Sequence, residues 1–96
     1  MANKTIGFRI STSARDDGTI EAVYILFSTN RVVKTREIIE DALIADYDYK
    51  GELVGVEILA PVRIGDITGL VQRPKRQSLQ KFIKQAAPQK LVLAGR

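Results

Sequence analysis

Between Val23 and Phe27 the chain reads Val-Tyr-Ile-Leu-Phe, five apolar residues in succession. The run is far shorter than the ~20 residues a membrane-spanning helix needs, and its β-branched and aromatic side chains favour a strand. Successive side chains of a strand point to opposite faces. Both faces of the sheet are therefore apolar at this strand, and both require cover. In a chain of 96 residues the cover comes from a C-terminal helix or from a second subunit.

The surrounding sequence supplies the rest of a sheet. Ile6, Phe8 and Ile10 alternate with Gly7 and Arg9, the period of a half-buried strand. Arg15-Asp16-Asp17-Gly18 is a hairpin signal leading into a strand over 20–28. Val32 to Ile39, polar at its centre (Lys34-Thr35-Arg36-Glu37), suits an edge. Leu43 to Asp48 and Leu53 to Leu59 form a second hairpin through Tyr49-Lys50-Gly51. Within it Val54, Val56 and Ile58 face one way, and Gly55 and Glu57 the other.

After Ala60-Pro61 the period changes. Asp66 to Val71 reads as a short helical turn capped by Asp66, weakened by Gly69. Arg73-Pro74-Lys75-Arg76 reads as a charged break. Ser78 then caps a helix over about 77–87 whose Leu79, Phe82, Ile83 and Ala86 share one face, and Pro88 ends it. Leu91-Val92-Leu93 is a sixth strand or a docked tail. The expected fold is α+β, an antiparallel β-meander of five or six strands with one C-terminal amphipathic helix. It is expected as a single domain over 1–96, a sheet module (1–60) with a basic extension (61–96).

The composition removes much chemistry. With neither histidine nor cysteine, disulfides, thiol nucleophiles, Ser-His triads and Cys/His metal sites are excluded. No glycine-rich phosphate loop occurs. Asp46, Asp48, Gly51 and Glu57 have EF-hand spacing, but Lys50 takes a ligand position and the flanks have strand periodicity, so the segment reads as a hairpin. Asp46 and Asp48 fall on one strand face and, with Glu52 and Glu57, are the candidate acid–base carboxylates. Glu21 is expected to pair across the sheet with Arg9 or Arg36. Tyr24 reads as core, Tyr47 and Tyr49 as hairpin contacts. The N-terminal residues lack the basic-then-apolar pattern of a signal peptide, and a cytoplasmic protein without membrane attachment is expected.

Charge divides the chain. Residues 1–60 carry 7 Lys/Arg against 10 Asp/Glu and residues 61–96 carry 8 against 1, so −3 and +7 give the net +4. Arg73, Lys75, Arg76, Lys81, Lys84 and Lys90 are the candidate polyanion-binding residues. A segment this basic attracts polyanions, or neutralises an acidic body in cis or across a dimer.

Two stretches carry a family resemblance. Asp17-Gly18-Thr19-Ile20-Glu21-Ala22-Val23-Tyr24-Ile25 and the run Asp46-Tyr47-Asp48 to Val54-Gly55-Val56-Glu57-Ile58-Leu59 fit a recurrent pattern. It is an acidic residue before A-x-Y-I, then D-Y-D-x-x-G-x-L-V-G-I-E-I-L. Over about residues 16–60 the chain resembles the prokaryotic family catalogued as domain of unknown function 2283. The resemblance implies a compact, mainly antiparallel sheet, an antitoxin-type role beside small toxin-like proteins, and neither a catalytic residue nor a cofactor. The function expected first is a non-enzymatic protein-interaction module, antitoxin-like and homodimeric. The second is a nucleic-acid-associated protein using the basic segment 73–90. The third is a carboxylate-based metal-dependent hydrolase at Asp46, Asp48 and Glu57.

Overall fold

The structure, a computed structural model, describes residues 7–93. Strands β1 (Arg9–Ala14) and β2 (Ile20–Leu26) form a hairpin, and β3 (Lys34–Ile39), β4 (Leu43–Tyr47) and β5 (Leu53–Ile58) form a three-stranded meander. The two units join where β2 pairs antiparallel with β5, giving the order β1-β2-β5-β4-β3. Two glycines make the short turns possible. Gly18, at φ 90°, and Gly51, at φ 83°, take the left-handed backbone that other residues resist. Ile6 of the expected first strand lies outside the described residues.

The chain then runs through β6 (Val62–Arg63), α1 (Ile64–Thr68), α2 (Arg73–Ala86) and β7 (Val92–Leu93). The α+β class with its meander-like sheet is the expected one. The apolar run after α2 forms neither a main-sheet strand nor a simple tail: β7 pairs in parallel with β6 as a separate two-stranded sheet. In α1 the Asp66 carboxylate accepts from the Arg63 backbone N–H at 3.0 Å, closing the first turn as a capping residue does. That helix starts at Ile64, two residues before the expected Asp66, and Gly69 is its C-cap.

α2 begins four residues earlier than its sequence suggested. Gln72 is its N-cap and Pro74 lies in its first turn, where the N–H that proline lacks has no helical acceptor. Arg73-Pro74-Lys75-Arg76 is therefore the helix start, and Ser78 lies inside the helix. The end is as expected: Ala87 is extended, with ψ 144°, because the following proline disfavours the helical region. Leu79 and Ile83 are buried and Phe82 is half-buried, but Ala86 is exposed and Ala87 packs against the core instead.

One hydrophobic core joins the two parts. Val23, Ile25, Leu43, Ala45, Val56 and Ile58 from one face of the sheet pack with Ile64, Ile67, Leu79, Ile83, Leu91 and Val92 from the extension. Phe8, flanking β1, meets the Phe27 ring edge-on at 5.7 Å and the Phe82 ring at 5.6 Å, tying both ends of the first hairpin to α2. The opposite face of the sheet is uncovered among the described residues. Ala22, Tyr24, Leu26 and Ile44 lie there half-buried and Ile20 is 40% exposed. No described helix is long and apolar enough to cross a membrane.

Candidate functional site

Three surfaces carry the polar side chains singled out in the sequence. The first is the uncovered sheet face, where the register aligns Tyr24 with Glu57 and Ile44, and Gly55 with Asp46 and Thr35. Tyr24 reaches diagonally across β5. Its hydroxyl donates to Asp46 Oδ2 at 2.9 Å, while the Thr35 hydroxyl donates to Asp46 Oδ1 at 2.7 Å. Its ring occupies the space over Gly55, where any Cβ would sit within 2.6 Å of Tyr24 Cε2. Tyr24 is thus not a core residue but the centre of the open face. Desolvation, its hydrogen bond to Asp46 and the charges of Asp46 and Glu57 all raise its pKa above the usual tyrosine value, so the phenol stays a proton donor at neutral pH. Asp46, with a hydroxyl on each oxygen, fixes the ring in place.

The second is the turn after β4. Asp48 is buried, at 3% exposure. Its Oδ1 accepts from the Lys50 and Glu52 backbone N–H groups and its Oδ2 from the Asn30 side-chain amide, each at 2.9 Å. Asn30 lies on the crossing from β2 to the far edge strand β3, so Asp48 fastens that crossing to the β4–β5 turn. The Asn30 bond, followed by the Glu52 N–H, holds its pKa below the ordinary value of 3.8. A depressed folded-state pKa contributes stability in full above 3.8, and loses it as pH falls through the folded value. Asp48→Asn is therefore expected to lower the thermal midpoint at neutral pH, with the gap to the unmodified chain closing as acid protonates Asp48. Unfolding scans across pH test this; a gap independent of pH would count against the carboxylate.

Asp46 and Asp48 do not share a site. A register irregularity between Asp46 and Tyr47 breaks the alternation that would have aligned them, and each carboxylate is engaged by different partners. Among the described residues no three acidic side chains come together as a metal would require. Glu21 pairs with neither Arg9 nor Arg36: Arg9 aligns with Leu26, Arg36 lies on the far edge, and Glu21, next to the hairpin turn, meets Arg15 at 3.4 Å. Tyr47 packs on the core, whereas Tyr49 is 77% exposed.

The third surface is α2, and it sorts the six basic candidates. All six are exposed. At 100° per residue Arg73, Lys81 and Lys84 share the face opposite Leu79 and Ile83. Arg76 leaves that group, its Nε donating to the Val71 carbonyl at 3.0 Å. Lys75 faces another way, lining with Phe8, Phe27, Leu70, Val71 and Glu52 a cleft of about 340 Å³ between the sheet end and the α1–α2 connection. Lys90 lies in the turn beyond the helix. None is ion-paired: among the described residues the one salt bridge is Arg15 to Glu21. Among the described residues the extension therefore makes no side-chain ion pair with the acidic sheet, although Lys75 shares its cleft with Glu52.

The Tyr24–Gly55 contact was absent from the sequence reading. Its signal was a glycine inside a strand, which marks a close approach by another group.

Comparison with the curated proteins and with the solved structures gives no match. Comparison with family models matches residues 17–60, from the β1–β2 turn through β5, to "Protein of unknown function (DUF2283)". The matched stretch supplies four strands and the whole Tyr24–Gly55–Asp46–Thr35 arrangement; β1 and the helices lie outside it. The match falls on the two stretches whose sequence pattern resembles that family, and it supports placing the segment 17–60 with the DUF2283 proteins of unknown function.

Proposed function

We propose that this protein is a non-enzymatic protein-interaction module that pairs with a second copy of itself through the uncovered face of its sheet. One observation carries the reading: Ile20, Ala22, Tyr24, Leu26 and Ile44 lie on a face over which, among the described residues, no other element packs. Apolar side chains grouped on an open sheet face favour a partner that removes them from water. Charges of both signs lie among and beside them: Glu57 on β5 between Tyr24 and Ile44, Glu37 on β3 and Arg9 on β1. A two-fold pairing sets one against the other. An antitoxin-like role places a different protein on the same face. The carboxylates do not argue for catalysis, since Asp46 and Asp48 are already held by hydroxyls, backbone N–H groups and an amide.

Sedimentation velocity across the micromolar range tests the proposal, with twice the chain mass expected. Ile20→Glu with Ile44→Lys is expected to weaken the dimer roughly tenfold or more, the scale of central interface residues. Ile44 lies between Glu57 and Glu37, so a lysine there meets opposite charges and the monomer keeps its circular dichroism. A wild-type chain that stays monomeric throughout, or a dimer indifferent to both substitutions, overturns the pairing.

A further inference from the structure

The outward face of α2 has no partner among the described residues and a composition unlike the sheet's open face. Between Arg73 and Ala86 there are five basic residues and no acidic one. The helix presents Arg73, Gln77, Gln80, Lys81 and Lys84 within an arc of about 100°. All five are exposed, and the last four line one shallow trough. Leu79 and Ile83 hold the opposite side against the core. Arg73 and Lys84 stand eleven residues apart, about 16 Å along the axis at 1.5 Å per residue, with the two glutamines between them.

We infer that this face docks in the major groove of double-stranded DNA. The groove is ~12 Å wide and admits an α-helix. A cation stripe about 16 Å long overreaches its width, so Arg73 at one end and Lys81 and Lys84 at the other meet phosphates on both sides. Gln77 and Gln80 then point at base edges, where a glutamine amide pairs with adenine N6 and N7. The face has no aromatic side chain on which single-stranded bases would stack. It also has no apolar centre of the kind protein interfaces bury. Both absences favour a duplex over single strands or an acidic protein. The acidic residues concentrate in the sheet module, so the field of the protein turns α2 toward a polyanion. The inference does not depend on the sheet-face pairing.

Fluorescence anisotropy of the full chain with labelled mixed-sequence duplex DNA tests it. Three phosphate contacts give a log–log salt slope of about −2.7 per bound helix, or about 40-fold weaker binding between 50 and 200 mM salt. Arg73→Glu/Lys81→Glu/Lys84→Glu is expected to lose roughly tenfold or more of the affinity at low salt. Lys34→Glu/Arg36→Glu, the same kind of change on the β3 edge, is expected to leave it within about twofold, as rim charges away from an interface do. Gln77→Ala/Gln80→Ala is expected to keep the salt slope and lose preference among duplex sequences. All these positions are exposed, and unchanged circular dichroism verifies folding. The inference is overturned by no binding at low salt, by equal losses in the α2 and β3 variants, or by tighter binding to single strands or polyglutamate than to the duplex.

Discussion

Alanine in place of Gly55 is expected to destabilise the fold by about 3 kcal/mol, far more than its single methyl group suggests. Alanine is ordinarily better than glycine in a strand interior, by roughly 0.5–1 kcal/mol. Here the added Cβ enters the space of the Tyr24 ring, at 2.6 Å from Cε2, and Gly55 sits in β5, paired on both sides, so its backbone has no room to yield. The ring must leave. Its hydroxyl then loses the Asp46 carboxylate, a loss of about 1.5–3 kcal/mol for a hydrogen bond to a charged group, and overpacking adds roughly 1–3 kcal/mol. For a chain of this length the thermal midpoint should fall by roughly 12–24 °C. A double-mutant cycle isolates the cause. In a Tyr24→Ala background the same Gly55→Ala change is expected to cost nothing or to stabilise slightly, giving a coupling of about 3 kcal/mol. Additive effects of the two substitutions would refute the steric account.

The same contact shows where sequence reasoning reached and where it stopped. Alternation put Val54, Val56 and Ile58 on one face and Gly55 and Glu57 on the other; Val56 and Ile58 do join the core, while the register irregularity opposite Asp46 and Tyr47 interrupts the pattern at Val54. Period two assigns residues to faces but does not say which face a helix will cover. At Val23–Phe27, where both faces are apolar, it also could not say which half was core. Val23 and Ile25 went under the helices; Tyr24 and Leu26 stayed on the open side. Nor does alternation encode strand order. The β2–β5 pairing depends on the crossing at 27–33, whose fastening to Asp48 through Asn30 is a contact between residues eighteen apart with no local signature. That fastening is also why Asp48 is buried, although the spacing of the acidic residues suggested a shared carboxylate face with Asp46.

The basic segment was legible as charge and not as a surface. A count along the chain treats Arg73, Lys75, Arg76, Lys81, Lys84 and Lys90 alike. Helix geometry separates them, leaving three on one outward stripe, one on a backbone carbonyl, one at a cleft and one beyond the helix. Had the helix begun at Ser78, as its capping residue suggested, Arg73 would have fallen outside the stripe. Proline in the first turn hid the true start, because it breaks a helix elsewhere and is tolerated there.

The extension 61–93 is also what lets the family segment hide its core face, and this yields the second large expected effect. Leu79→Ala combined with Ile83→Ala is expected to abolish cooperative unfolding. Leu79 is fully buried and Ile83 is 2% exposed, and each such truncation costs about 2–5 kcal/mol. The pair therefore removes roughly 4–10 kcal/mol from a chain whose total stability, at ~0.05–0.15 kcal/mol per residue, is of the same size. The loss is not confined to α2. The two side chains share a cluster with Val23, Ile25, Leu43 and Ile58, so releasing the helix uncovers the sheet face that the four family strands cannot bury among themselves. The helical circular-dichroism signal should fall, and binding of an apolar fluorescent dye should rise, in the same variant. The contrasting substitution Ala86→Lys, at the exposed position once expected in the core, should leave both unchanged. If the double truncation kept a sharp unfolding transition and bound no dye, the sheet would be stable without its helix, and the extension would be a separate appendage, not the second layer of the fold.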